Sequence, residues 1–187
     1  FSPDCRPNEV MRSMKNLMNE AYSRDLSSKI GAAFDAKRAN GEMLYRIVPY
    51  GYKKSGDPKH PYIIDEPAAQ NIRMFFEMYA DGYSLGKIAE HCNNICLPTP
   101  SEYKAARGLG GSRIPEYSIW NGTMIGKMLR NPVYLGHMQQ EISYRRFCDN
   151  QPQIYYPKSQ WKLYKNVNEP IISQELWDKV QSMLLSH

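Results

Sequence analysis

The chain has 187 residues, 42% of them hydrophobic and 23% charged, with a net charge of +5. That is enough apolar side chain for one domain, or one plus an appendage, and it excludes a disordered polymer. No run of 18 apolar residues exists to span a membrane, and the four scattered cysteines (Cys5, Cys92, Cys96, Cys148) indicate a reduced, cytoplasmic setting rather than a disulfide scaffold.

The N-terminal stretch FSPDCRPNEV has neither a basic start nor an apolar run, so it does not read as a signal peptide. With no Met at position 1, the chain is expected to be a piece of something longer. Residues 9–38 read as one long helix, with Val10, Met14, Leu17 and Ala21, then Tyr22, Leu26, Ile30, Ala33 and Phe34, at helical spacing. About 30 residues is long for a globular helix. Such a helix links two modules or pairs with a copy of itself.

Tyr45, Ile47, Val48, Tyr50 and Tyr52 favour a strand, with Pro49 placing it at an edge. Ser55 to His60 carry turn chemistry, and Tyr62, Ile63 and Ile64 form the returning strand. The result is a hairpin with Lys53, Lys54 and Lys59 near its tip. Asp65 is placed to cap the next helix, with Glu66 and Pro67 in its first turn and Ile72, Phe75, Phe76 and Tyr79 on its apolar face. Asp81-Gly82 ends it. Ser84 caps a second helix through Leu85, Ile88, Ala89 and Cys92, so the two form a helical hairpin or the start of a helix-turn-helix.

Residues 97–119 read as a long loop containing Lys104, Arg107 and Arg113, and a loop of that length has a function or moves. A third helix runs from Asn121 to Arg130, with Met124, Ile125, Met128 and Leu129 inward, and Asn131-Pro132 stops it. Val133–Ile142 and Trp161–Val167 read as strands, separated by a polar loop with Arg145 and Arg146. Ser173 caps a final helix through Leu176, Trp177, Val180, Met183 and Leu184. The expected fold is α+β and mostly helical: a long N-terminal helix, then a helix-turn-helix-like domain with small β-hairpins. The division falls at 1–40 and 41–187.

The charge is unevenly spread. Residues 38–60 hold five basic and two acidic side chains, and residues 101–150 hold seven and four, each a net of +3. Between them, residues 61–100 hold two basic and five acidic, a net of −3. A phosphate-binding surface built from separate segments has this pattern, and so has an ordinary solvated surface. The four histidines are scattered. His91, Cys92 and Cys96 have helix spacing and no second pair, which is a poor zinc site. No phosphate-cradling glycine motif and no nucleophile–base order stands out. No cofactor is expected, and an intact small enzyme is disfavoured against a binding module. The third helix is the best candidate for contact with bases: Asn121 and Thr123 lie at its N-terminal end, and Lys127 and Arg130 can reach phosphate or guanine. The bland alternative makes Asn121 a helix cap and the two cations solvated.

Several stretches taken together resemble a known family. They are Tyr50-Gly51-Tyr52-Lys53, Ile63-Ile64-Asp65-Glu66-Pro67-Ala68-Ala69, Met78 to Ala89, Leu97-Pro98-Thr99-Pro100, Trp120, Leu129 to Gly136, and Glu169-Pro170-Ile171-Ile172-Ser173. Their order and spacing are similar to the recombinase domain of large serine recombinases, which include phage integrases and mobile-element transposases. Met18 to Ser27 resembles the long helix that leaves the family's catalytic domain. The resemblance implies a sequence-specific DNA-binding domain that positions double-stranded attachment sites for strand cleavage and exchange. The nucleophilic serine domain would precede Phe1 and a zinc-ribbon domain would follow His187. This segment by itself would therefore not be an enzyme and would hold no metal.

The resemblance also implies that the parent protein pairs as a dimer and tetramer through the long helix, works in the prokaryotic cytoplasm on the nucleoid, and has no membrane partner. It assigns DNA contact to the basic stretch Lys37, Arg38, Arg46, Lys53, Lys54 and Lys59, with Arg46 at the minor groove. Arg107 and Arg113 are assigned to the backbone, the helix from Asn121 to the major groove, and Arg145 and Arg146 complete the basic set. The competing reading is a protein-interaction or dimerisation module with no role on DNA. The fourteen tyrosines are expected mainly to pack, with hydroxyls reaching water or phosphate.

Overall fold

A computed structural model describes residues 5–40, 42, 48–108, 118–140, 143–144, 154–157, 159 and 161–185. The elements in order are α1 (Cys5–Ala39), β1 (Tyr52–Lys54), β2 (Tyr62–Ile64), α2 (Glu66–Ala80), α3 (Leu85–Asn94), α4 (Pro100–Ala106), α5 (Gly122–Leu129), a 3-10 helix (Pro132–Leu135), β3 (Met138–Gln140), β4 (Ser143–Tyr144), β5 (Ile154–Tyr155), β6 (Lys162–Tyr164) and α6 (Gln174–Leu185). The fold is mostly helical α+β, as expected. The chain divides into two units: residues 1–44 with 139–162, and residues 45–138 with 163–187.

The first unit contains the 35-residue α1. Ion pairs one turn apart brace its surface, Arg24 to Glu20 and Lys29 to Asp25, each at 2.7 Å. Val10, Met11, Met14, Leu17, Met18 and Tyr22 are all exposed along it. In the same unit β4 and β5 pair antiparallel, Ser143 opposite Tyr155.

The second unit holds a core built around α2. Ala68, Ala69, Ile72, Phe75, Phe76 and Tyr79 are its buried face, and this stripe packs on α3, α5 and α6. Two chains of aromatic rings run through the core. One links Tyr103, Tyr50, Trp120 and Phe75 edge to face at 5.1–6.0 Å. The other links Tyr62, Tyr52, Tyr134, Phe76 and Trp177 at 5.8–6.3 Å. Two tyrosine hydroxyls of these chains, those of Tyr52 and Tyr50, are tied to the protein. Tyr52 Oη lies 2.8 Å from the Glu169 carbonyl and 3.0 Å from that of Val133, and Tyr50 Oη accepts from Asn71 Nδ2 at 2.8 Å.

Three local expectations need correction. The stretch 97–119 is not all loop, because α4 occupies Pro100–Ala106. Thr99 and Glu102 form a reciprocal capping box ahead of it, with Pro100 at the first helical position. The stretch 133–142 is not one strand. Asn131 caps a 3-10 turn, Gly136 at φ +78° ends it, and among the described residues of the stretch Met138–Gln140 form the strand. A Cβ on Gly136 would lie 2.2 Å from the Asn168 carbonyl oxygen, so only glycine fits where the 167–172 segment crosses. The hairpin strand starts at Tyr52, and residues 43–47 lie outside the described residues. Gly51, at φ +94°, turns the chain just before it.

Hairpin pairing is antiparallel, Lys53 opposite Ile63. Its turn is held by hydrogen bonds of Ser55 with His60 and Asp57, and by Asp57 Oδ1 accepting from Lys59 N at 2.8 Å. The hairpin is fastened to the late segment by His60 Nδ1 against the Val167 carbonyl and by Tyr62 N donating to Asn168 Oδ1 at 3.0 Å.

Candidate nucleic-acid interface

The eight residues of α5 carry two different faces. Ile125, Gly126 and Leu129 are buried, while Asn121, Thr123, Lys127 and Arg130 are exposed. Trp120, 2% exposed, anchors the start of the helix. Its backbone N–H donates to Asn93 Oδ1 (2.9 Å), its carbonyl accepts from Asn93 Nδ2 (3.0 Å), and its indole N–H donates to the Leu97 carbonyl (2.9 Å). The end of α3 thus fixes where α5 begins. At the other end, Gln181 of α6 donates to the Leu129 carbonyl at 2.7 Å. A short helix pinned at both ends presents its outer side chains in a set orientation.

Asn121 is the N-cap of α5. Its Oδ1 accepts from Met124 N at 2.9 Å, so the capping role set against base contact is occupied. Arg130 folds back to donate to the Gly126 carbonyl at 3.1 Å. Thr123, Lys127 and Arg130 line one cleft of about 660 Å³, together with Leu85, Gly122 and Gly126. The sequence reading named the three polar residues and missed the other three. Glycines at i and i+4 on a short helix were the available signal, since that spacing marks one face where another backbone approaches.

Lys53, Lys54 and Lys59 are exposed on the hairpin, which places three cations on one rigid two-stranded element. Arg107 is the C-cap of α4, and its guanidinium is committed to Asp65 at 2.6 Å. It also lies over the Tyr103 ring, 4.4 Å from the centroid. Tyr103 Oη donates to the same Asp65 oxygen at 2.8 Å. Burial, together with this hydrogen bond to the carboxylate, pushes the Tyr103 phenol up to about 12. Asp65 was expected to cap α2 with its side chain. It sits at the N-cap but makes no side-chain cap, because α4 takes its carboxylate. Lys104 donates to the Val48 carbonyl at 2.7 Å, and desolvation lowers its pKa. The expected long loop therefore opens with a helix clamped to the core by Asp65, Val48 and Ser118, the last through Thr99 Oγ1 at 2.6 Å.

Lys37 is exposed near the end of α1 in the other unit. Arg38 lies in α1 with its side chain outside the description, and Arg46, Arg113, Arg145 and Arg146 lie outside the described residues altogether. Cys92 is buried, with its thiol pushed up by burial to about 11, whereas Cys96 is exposed.

Comparison with known proteins follows the same region. The family model described as Recombinase matches residues 66–186. One similar solved chain comes from a crystal structure of an LSR–DNA complex, with 15% identity over 76% of this chain and 33% of that one, at a TM-score of 0.46. Another comes from a study of the sequence requirements of the Listeria innocua prophage attP site, with 15% identity over 83% of this chain and 51% of that one, at a TM-score of 0.51. The second likeness is one of fold. This chain spans between a third and about half of the length of those two. Among the described residues, no helix is long and apolar enough to cross a membrane.

Proposed function

The chain belongs to the Recombinase family, and from that membership we propose that it is the DNA-binding part of a serine site-specific recombinase, positioning an attachment site for strand cleavage and exchange. The observation that carries the reading is α5: a helix pinned at both ends, with Thr123, Lys127 and Arg130 exposed along one cleft, inside the matched region. Polar and cationic side chains on one helix suit the acceptor-rich major groove. The lysines of the hairpin suit phosphates. The parent protein would supply the nucleophilic serine and would pair through α1, whose exposed apolar side chains favour self-association.

The test is anisotropy on a duplex selected from a random library, against a scrambled duplex of equal length. Specific binding is expected to be tighter by at least about a thousandfold and to weaken steeply with salt. Equal affinity for both duplexes would refute sequence-specific recognition. A pairing module with no DNA role is the second reading, carried by α1. It requires a stable dimer by light scattering with no retention on DNA or heparin.

A further inference from the structure

The floor of the α5 cleft is apolar while its rim is not. Gly122 and Gly126 bring α3 against α5. A Cβ on Gly126 would meet Leu85 Cδ1 at 3.2 Å, and one on Gly122 would meet the Leu85 backbone carbon and Cβ at 3.4 Å. Leu85 is only half-buried, and it lines the cleft beside the two glycines. Around it stand the Thr123 hydroxyl and the Lys127 and Arg130 cations, all three residues exposed. The cleft, at about 660 Å³, is larger than one small group.

We infer that Leu85 is a specificity-determining residue, and that the cleft takes the major-groove edge of a thymine-bearing base pair with the 5-methyl group seated on Leu85. This rests on the DNA-binding reading and adds a ligand class to the same site. The chemistry is complementary on both counts. Thymine is the base whose major-groove edge combines a methyl group with an acceptor, O4. The methyl finds an apolar floor, and O4 with its neighbouring acceptors faces hydroxyl and cationic donors. A cytosine in the same place would offer Leu85 only a bare C5–H and would set its N4 amino donor against the hydroxyl and cationic donors, a mismatch in both packing and charge.

The experiment replaces each thymine of the selected duplex, one at a time, by deoxyuridine, which lacks only the methyl. Binding of the whole 187-residue chain is measured by anisotropy. One position per site is expected to weaken about three- to fivefold, the worth of one buried methyl, with the others unchanged. Leu85→Ala is expected to bind the thymine and uracil duplexes alike, and Leu85→Met to keep the preference. Circular dichroism melting reports whether each variant is folded; should Leu85→Ala not fold, the deoxyuridine scan on the unaltered chain and the Leu85→Met comparison decide. Sequence-specific binding with no deoxyuridine-sensitive position overturns the inference and leaves the DNA-binding reading standing. So does sensitivity of full size in a folded Leu85→Ala. A chain that prefers no duplex at all fails the earlier reading, and this one with it.

Discussion

Replacing Asp65 by alanine leaves the Arg107 guanidinium and the Tyr103 hydroxyl without their shared acceptor. The carboxylate is 7% exposed but Arg107 is 40% exposed, so solvent screens part of the loss. A destabilisation of about 2 kcal/mol is expected in urea unfolding, and α4 should become the first segment to exchange amide hydrogen. His137 gives the pH dependence at this scale. Burial, and then the charge of Lys165, hold its imidazole below the usual 6.5, and its Nδ1 accepts from Asn166 N. The folded state therefore binds its proton less readily than the unfolded chain. Its contribution is fully present above about pH 7 and is lost as pH falls through 6.5 towards the folded value. His137→Gln should flatten that part of a stability–pH curve, and an unchanged acid limb would exclude the residue. At Gly136 an alanine meets both a positive φ and the Asn168 carbonyl oxygen. The cost is on the order of 3–4 kcal/mol, enough to show in any thermal melt.

At the scale of elements, helix beginnings were the most legible features. Ser84 accepts from Lys87 N, Asn121 from Met124 N and Ser173 from Leu176 N, each at an expected start. These signals are local, because a cap needs only its own next turn. The missed α4 had a local signal too, in Thr99-Pro100-Ser101-Glu102, but two prolines and nearby glycines read as loop. Thr99→Ala should cost about 1–2 kcal/mol, since the buried hydroxyl serves both the cap and Ser118. Gly126→Ala separates stability from recognition. Alanine favours a helix interior by about 0.5–1 kcal/mol, but its methyl would lie 2.9 Å from an Arg130 guanidinium nitrogen and 3.2 Å from Leu85 Cδ1, and would push both side chains aside. The melting temperature is expected to hold while DNA affinity falls. Affinity falling only with stability would contradict a role in recognition for the cleft that Arg130 and Leu85 line.

For the molecule as a whole, the charge map survives folding in an altered form. The acidic 61–100 stretch includes Asp65, whose charge is consumed internally by Arg107, so one charge of a basic segment is spent holding the core. Cations left at the surface of the second unit include Lys53, Lys59 and Lys127. Lys127→Ala is expected to weaken binding to all duplexes similarly and to reduce the slope of log affinity against log salt by about 1 if it meets a phosphate. An unchanged slope with lost specificity would move it to a base contact instead.

The sequence by itself determined the α-helices other than α4, the hairpin, the α+β class and the family, because periodicity, caps and ordered motifs are properties of neighbours along the chain. Only the tertiary structure decided what the polar side chains do. Whether Arg107 is a surface cation or the partner of Asp65, whether Tyr52 meets water or the Glu169 carbonyl, and whether Leu85 is core or cleft floor depend on residues many positions away. The physical reason is that a side chain's role is set by what desolvates it and what it can bond, and both are supplied by segments that meet only once the chain has folded.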